Sequence, residues 1–480
     1  MNDKLNKWQL TIGLEVHIQL STKTKMFCAC LNKYGQTPNT LICPVCLGLP
    51  GALPKINKEA INMAIALGHA LNFKINSNTE FSRKNYYYPD LPKGYQISQF
   101  DKPICENGFI DIGDEKYSKK IGITRAHLEE DSGKLIHHSN NFSFVDLNRA
   151  GAPLIEIVSE PEIHSSDDAR LYLEKLKQIV KYIGISDCDM EKGNLRVDIN
   201  VSVNKKNDSS LGTRREVKNL NSFKSVQKAI NFEFDEQVKM IENGNDVVQL
   251  TLTWDEKNNC TKILRKKEDA HDYRYFPEPD LPPLEILDQD LEKIKSELPE
   301  LPNDKLMRFR KEYNIKEQDL NILISDLELA DYFEDLVKKT SLPQASANWI
   351  LVEVLHYLNS NNASINDFPI SQENLADLIK LYNDNKLTNI NAKKLFNYLL
   401  ESSSSTSDLI REHNLMVVDD DNLINSAIEG LFENNPNEFE RLKNGESKLI
   451  GFFMGQAMKS LKGNANPKLI QEILKKYIGK

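Results

Sequence analysis

Three stretches of this 480-residue sequence place carboxylates and histidines where a folded chain has to account for them. In the first, Leu10, Ile12, Leu14, Val16, Ile18 and Leu20 alternate with Thr11, Gly13, Glu15, His17 and Gln19, a strict period of two. A strand of this kind puts Glu15 and His17 on one face, about 7 Å apart. They are then either a ligand pair or part of an exposed polar face. In the second, Pro153-Leu154-Ile155-Glu156-Ile157-Val158, Glu156 stands between apolar residues on both sides. A strand apolar on both faces is buried, and a buried carboxylate is costly unless it is paired or binds a metal. The third, His127-Leu128-Glu129-Glu130-Asp131, has three consecutive acids after a histidine. Sites of one or two carboxylates completed by phosphate oxygens suit Mg²⁺. Glu15, His17, Glu130 and Glu156 therefore make a candidate Mg²⁺–nucleotide cleft, provided the fold brings them together.

A second chemistry is written in cysteine. Cys28-Ala-Cys30 and Cys43-Pro-Val-Cys46 are two close thiol pairs separated by a short loop. That spacing suits a closed tetrahedral Zn²⁺ site, with buried thiols or a redox pair as the alternatives. A further segment, Arg83-Lys84-Asn85-Tyr86-Tyr87-Tyr88-Pro89-Asp90-Leu91-Pro92-Lys93-Gly94-Tyr95, is dense in cations and aromatics. Either Lys84 and Lys93 grip a triphosphate while a tyrosine stacks a base, or the segment is a structured loop over the core. No GxxxxGK[ST] or GxGxxG motif cradles phosphate here. No Ser/His/Asp or Ser/Lys pattern points to hydrolysis through a nucleophile.

These residues need elements to hold them. Leu195, Val197, Ile199, Val201 and Val203 alternate with Arg196, Asp198, Asn200 and Ser202, which predicts a second long strand with one polar face. Helices are expected from Asn57, from Ser165 to Gly184, and from about Phe223 to Gly244, with Ser165 and Asp168 as a cap pair. Strands and helices do not alternate one for one, so the expected class is α+β with a large antiparallel sheet. The cluster Pro277-Glu278-Pro279-Asp280-Leu281-Pro282-Pro283 marks a boundary, and the pattern beyond it is helical. Ser402-Ser403-Ser404-Ser405-Thr406-Ser407 reads as a flexible hinge.

Composition bounds the rest. With 40% hydrophobic and 27% charged residues the chain is an ordinary globular protein, and its length predicts about three domains. No apolar run is long enough for a membrane span. The opening MNDKLNKWQL lacks a secretory or transit pattern. Seven cysteines, an odd number, fit a reducing cytoplasmic compartment. Net charge is −9, yet residues 448–480 hold seven lysines against Glu472 alone. This tail is either a solvated face or a phosphate-contacting surface.

The ordered motifs resemble a known family. They are Ile12-Gly13-Leu14-Glu15-Val16-His17, the quartet running into Cys46-Leu47-Gly48-Leu49-Pro50-Gly51, Arg83-Lys84-Asn85-Tyr86, Tyr95-Gln96-Ile97-Ser98-Gln99, Glu129-Glu130-Asp131, Glu156-Ile157-Val158-Ser159-Glu160-Pro161, Lys218-Asn219-Leu220-Asn221-Ser222, Asp272-Tyr273-Arg274-Tyr275-Phe276-Pro277, and Gly455-Gln456-Ala457-Met458-Lys459 with Gly463-Asn464-Ala465-Asn466-Pro467 in the tail. Together they are similar to the B-subunit family of bacterial GatCAB amidotransferases over essentially the whole chain. The resemblance implies a catalytic cradle over 1–290, related to glutamine synthetase and guanido kinases, with a zinc-binding insertion at 28–46. A helical domain over 291–401 and a YqeY-like, tRNA-contacting tail over 408–480 follow. It implies ATP-dependent conversion of Glu-tRNA(Gln), and often Asp-tRNA(Asn), to the amidated forms. The assembly implied is a heterotrimer, in which the GatA glutaminase supplies ammonia and GatC ties the other two together. A non-discriminating synthetase is an optional further partner.

The implied Mg²⁺ ligands are His17, Glu130 and Glu156. Glu15, Lys84, Lys93, Asp198 and Glu216 would line the same pocket, with Lys84, Lys93, Tyr86, Arg196 and Asn200 toward the nucleotide. Glu15 and Asp198 would guide ammonia. Zinc on Cys28, Cys30, Cys43 and Cys46 would be structural. Three rivals stand beside this reading: a small-molecule ligase like glutamine synthetase, a zinc-dependent RNA-binding module without catalysis, and an archaeal-type relative, for whose inserted synthetase-like domain the chain has no room.

Overall fold

The computed structural model describes residues 6–113, 118–137, 142–208, 210–266, 272–417, 421–461 and 467–477. The tail motif beginning at Gly463 lies outside them except for Pro467. The chain divides into two compact units, Met1–Pro302 and Asn303–Lys480.

In chain order the strands of the first unit are β1 (Trp8–Gln19), β2 (Lys74–Ile75), β3 (Asn78–Thr79), β4 (Ser82–Asn85), β5 (Tyr95–Ser98), β6 (Cys105–Asp111), β7 (Lys120–Glu130), β8 (Lys134–His137), β9 (Ser143–Asp146), β10 (Pro153–Ser159), β11 (Leu195–Lys205), β12 (Arg215–Leu220), β13 (Leu250–Asp255), β14 (Cys260–Lys266), β15 (Phe276–Pro277) and β16 (Leu284–Glu285). One large sheet runs β14-β13-β12-β11-β1-β10-β7-β5-β4-β15, with β6 also on β7 and β2 on β6. The expected antiparallel sheet forms with one exception, since β12 and β13 are parallel. A helix, Phe223–Glu242, lies between them in the chain, and a parallel pair needs such a crossover.

The alternation in β1 and β11 sorts the sheet into two faces. Leu10, Ile12, Leu14, Val16 and Ile18 join Leu195, Val197, Ile199 and Val201 in one buried core. Helices α1 (Lys58–Ala70), α2 (Ser166–Tyr182) and α3 (Phe223–Glu242) supply Ile61, Ile65, Tyr172, Leu176, Ile230 and Phe234 to the same core. Their starts follow the expected chemistry. Asn57, Ser165 and Ser222 each accept a hydrogen bond from the first turn through the side chain. Gly184 and Gly244, at φ of 69° and 76°, then turn the chain after α2 and α3.

The second unit is helical, with two separate cores among the described residues. The serine run, expected as a hinge, is hydrogen-bonded at its end. Ser405 accepts from Asp408 N at 3.2 Å and caps the helix Thr406–His413, while the buried Thr406 hydroxyl donates to Asn374 O at 3.0 Å. Composition suggested flexibility, but these hydroxyls satisfy backbone and side-chain partners instead. Leu409, Ile410 and Leu415 belong to the core built on Leu375 and Leu395. Among the described residues the last core spans Ile424 to Leu474.

Candidate functional site

Strand register assembles the polar face of the sheet. His17 on β1 pairs with Glu156 on β10 and with Arg196 on β11, and Glu156 pairs in turn with His127 on β7. Two residues along β1, Glu15 sits between Val158 and Asp198, and beyond it Gly13 faces Asn200. Because side chains alternate, all these polar groups rise from the same face.

Two carboxylate clusters result. In the first, His17 Nε2 lies 3.3 Å from Glu156 Oε2 and 3.5 Å from Glu129 Oε1, while His127 Nε2 lies 3.5 Å from Glu156 Oε2. Burial works against a charged His17, but its hydrogen bond to Glu156 and the charges of Glu156 and Glu129 push it up to about 9. Burial likewise opposes the Glu156 carboxylate, and the facing His127, His17 and Lys84 hold it well below the usual range. His127 is kept toward its neutral form by burial, and its Nδ1 has no hydrogen-bond partner among the described residues. Lys84 faces the cluster from β4 and stands 5.1 Å from the Tyr273 ring centroid. Burial opposes its charge, yet Glu129, Tyr275 and Glu156 raise it. Tyr86 meets Tyr273 edge to face at 6.0 Å, and burial raises its phenol.

In the second cluster, one ligand atom each from Glu15, Asp198 and Glu216 falls within 4.8 Å of the others. Lys218 Nζ reaches Asp198 at 2.6 Å and Glu216 at 2.7 Å, and Thr251 Oγ1 donates to Glu216 at 2.9 Å. Asn200 Nδ2 donates to Glu15 at 3.0 Å. Burial, followed by the neighbouring Glu156 charge, raises Glu15 above an ordinary glutamate despite Lys218. Arg196 Nη2 donates to Asp131 at 2.8 Å, and its Nε has no partner among the described residues.

Two of the expected site residues lie elsewhere. Glu130 follows Glu129 on β7 and so points to the opposite face, where its carboxylate accepts from Ile97 N at 2.9 Å and pairs with Lys93. Lys93 and Glu130 are both buried there, away from His17 and Glu156. The carboxylate that joins His17 and Glu156 is Glu129. The signal was present in the sequence, since Glu129 shares strand parity with His127 and Glu130 does not. Lys218 was also unassigned, although it lies in a quoted motif.

The residues brought together fit the implied metals, with Glu129 in place of the expected Glu130. His17, Glu129 and Glu156 offer one nitrogen and two oxygens within 4.8 Å, a partial set that leaves positions open for water or phosphate. The four cysteine sulfurs also fall within 4.8 Å, and Cys43 and Cys46 Sγ are 3.9 Å apart. Four thiolates at about 2.3 Å from zinc need spacings close to that. The backbone N–H of Cys43 points at Cys46 Sγ at 3.1 Å.

Two openings reach the polar face. A cavity of about 710 Å³ is lined by His17, Arg149, Arg196, Asp198 and Lys218, with Lys33, Lys134 and Lys192 on its walls. A smaller one of about 260 Å³ approaches Glu15 from Thr11, Gly13, Ser159, Asn200 and Arg214.

Comparison with known proteins identifies what surrounds this face. Residues 10–292 match the model of the GatB/GatE catalytic domain, and residues 331–478 match that of the GatB domain. The chain is 47% identical over 472 residues to the B subunit of the aspartyl/glutamyl-tRNA(Asn/Gln) amidotransferase of Thermodesulfovibrio yellowstonii, covering 98% of this chain and 99% of that one. The corresponding B subunits of Persephonella marina (47%) and Caldicellulosiruptor saccharolyticus (46%) match over 98% and 99% of this chain and the whole of their own.

Proposed function

This chain belongs to the GatB family of amidotransferase B subunits, and from that premise we propose that it amidates mischarged tRNA at the expense of ATP. The substrates are Glu on tRNA(Gln) and Asp on tRNA(Asn). The γ-phosphoryl group passes to the side-chain carboxylate, giving ADP and an acyl phosphate. Ammonia then attacks the acyl carbon and phosphate leaves. The observation that carries this reading is the shared face that holds His17, Glu129, Glu156 and Lys84 beside Glu15, Asp198 and Glu216.

Each residue has a physical task. His17, Glu129 and Glu156 would hold Mg²⁺, which supplies positive charge to the phosphoryl oxygens. Lys84 adds a fixed cation in the same place, so that two anions meet without repelling. Tyr86, Arg196 and Asn200 orient the nucleotide and the acids around it. Glu15 takes the proton shed as the amide forms, and burial with the neighbouring Glu156 charge raises its affinity for protons. Lys218 locks Asp198 and Glu216 in place. The larger cavity, with its basic walls, admits ATP and the acceptor end, and the smaller one delivers ammonia to Glu15.

The remaining assignments follow the same reading. GatA makes ammonia from glutamine, GatC joins the assembly, the fold of the first unit is that of glutamine synthetase and guanido kinases, and zinc on the four cysteines is structural. The lysine-rich tail touches tRNA in the cytoplasm. Purification with both partner proteins and assay of ATP turnover tests this. Turnover that rises with mischarged tRNA is expected. Turnover indifferent to tRNA favours a small-molecule ligase, and none at all favours an RNA-binding module.

A further inference from the structure

Beneath the cysteine insertion lies a lysine that is 0% exposed, Lys25. Its Nζ donates to Leu41 O at 2.8 Å and Leu147 O at 3.4 Å, and lies 3.7 Å from Cys46 Sγ. Among the described residues its polar partners are two carbonyls and a sulfur, none of them a carboxylate. The nearby acid, Glu130, is already paired with Lys93. A fully buried ammonium is costly without an anion. Zn²⁺ with four thiolates carries a net charge of −2, and its sulfurs accept charge-assisted hydrogen bonds from the surrounding shell.

We propose that Lys25 is the counter-cation of the four-cysteine zinc centre, donating to the Cys46 thiolate while it pins the loop at Leu41 and the turn at Leu147. The proposal rests on reading the quartet as a zinc site. Its consequence reaches the functional face. The same loop and turn are cross-bonded by Leu41 N to Asn148 Oδ1 at 2.8 Å and by Asn39 Nδ2 to Val145 O at 2.9 Å. Asn148 and Arg149 then line the large cavity. A zinc centre balanced by Lys25 thus holds one wall of the substrate cavity, without itself facing the reacting groups.

The test is zinc competition with a chromophoric chelator on the full chain, comparing wild type, Lys25→Met and Lys25→Arg. Lys25→Met, neutral but of similar shape, is expected to release zinc about 10–100-fold more readily. Lys25→Arg, which keeps the charge, holds it more tightly than Lys25→Met. In a Cys30→His background, where one thiolate charge is gone, the loss caused by Lys25→Met shrinks. Wild-type zinc affinity in Lys25→Met, or an equal loss in both backgrounds, overturns the proposal. Should Lys25→Met not fold, Lys25→Arg decides: zinc retained supports the charge, and a folded but zinc-free protein overturns it. A wild-type chain that carries no zinc overturns the zinc reading and this proposal together, whereas a zinc-loaded wild type with a zinc-tight Lys25→Met overturns the proposal alone.

Discussion

Glu129 and Glu130 are neighbours on one strand, both buried, and they meet opposite fates. On the face of Glu130, Lys93 pairs with the carboxylate, and Lys25 lies among carbonyls and a cysteine sulfur. On the face of Glu129, acids crowd together. Glu129 and Glu156 share His17, Glu15 carries a raised pKa, and Lys84 makes no direct ion pair among the described residues of the cluster. The Lys93–Glu130 pair, the first pattern, is what a chain does with buried charges that only hold it together. The second leaves charge to be balanced by something that arrives, on the proposed function Mg²⁺ and phosphate. Mutation of the two faces should therefore differ in activity per folded molecule.

The largest effect is expected at Glu156. Glu156→Gln keeps the strand and removes charge from the centre of the cluster, so amidation per folded molecule should fall about 10³-fold. On the other face, Glu130→Gln leaves the Lys93 ammonium buried without its anion. Urea unfolding should show a loss of about 3 kcal/mol. A smaller loss tests how tightly the insertion docks there. Gly48 has φ of 66°, and a Cβ on it would come within 2.5 Å of Lys93 Cγ and 3.0 Å of its Cα. Gly48→Ala should cost about 2 kcal/mol by strain and displacement, with amidation per folded molecule preserved.

The smallest effect is one of pH. His17 is pushed up to about 9, above its ordinary 6.5. In metal-free protein the imidazolium pair with Glu156 therefore stabilises fully below about pH 6.5, and that stability is lost as pH rises through about 9. Mg²⁺ bound there as proposed would take the neutral imidazole and expel the proton. Calorimetric Mg²⁺ affinity should tighten by up to about tenfold per pH unit below 9, with proton release, and His17→Asn should flatten the slope.

Much of this was legible in the sequence, because strand parity is local. The alternations in β1 and β11 put Glu15, His17, Asp198 and Asn200 on one face, and the patterns from Asn57, from Ser165 and from about Phe223 predict the three helices that form. The run of three acids alone put Glu130 rather than Glu129 into the cleft, although the strand parity of His127 favours Glu129. The position of Lys93 depends on where the insertion around Gly48 docks, a long-range contact that no period encodes. The serine run 402–407 misled because serine composition is the same in a linker and in a capped turn; only Asn374, some thirty residues earlier, decides between them.

The most direct test sets the two neighbours side by side. Glu129→Gln and Glu130→Gln are assembled with both partner proteins, and ATP turnover driven by mischarged tRNA is measured per folded molecule at saturating Mg²⁺. Turnover per folded molecule should collapse in Glu129→Gln and persist in Glu130→Gln. The reverse, turnover lost in Glu130→Gln and kept in Glu129→Gln, would contradict the assignment of the functional face.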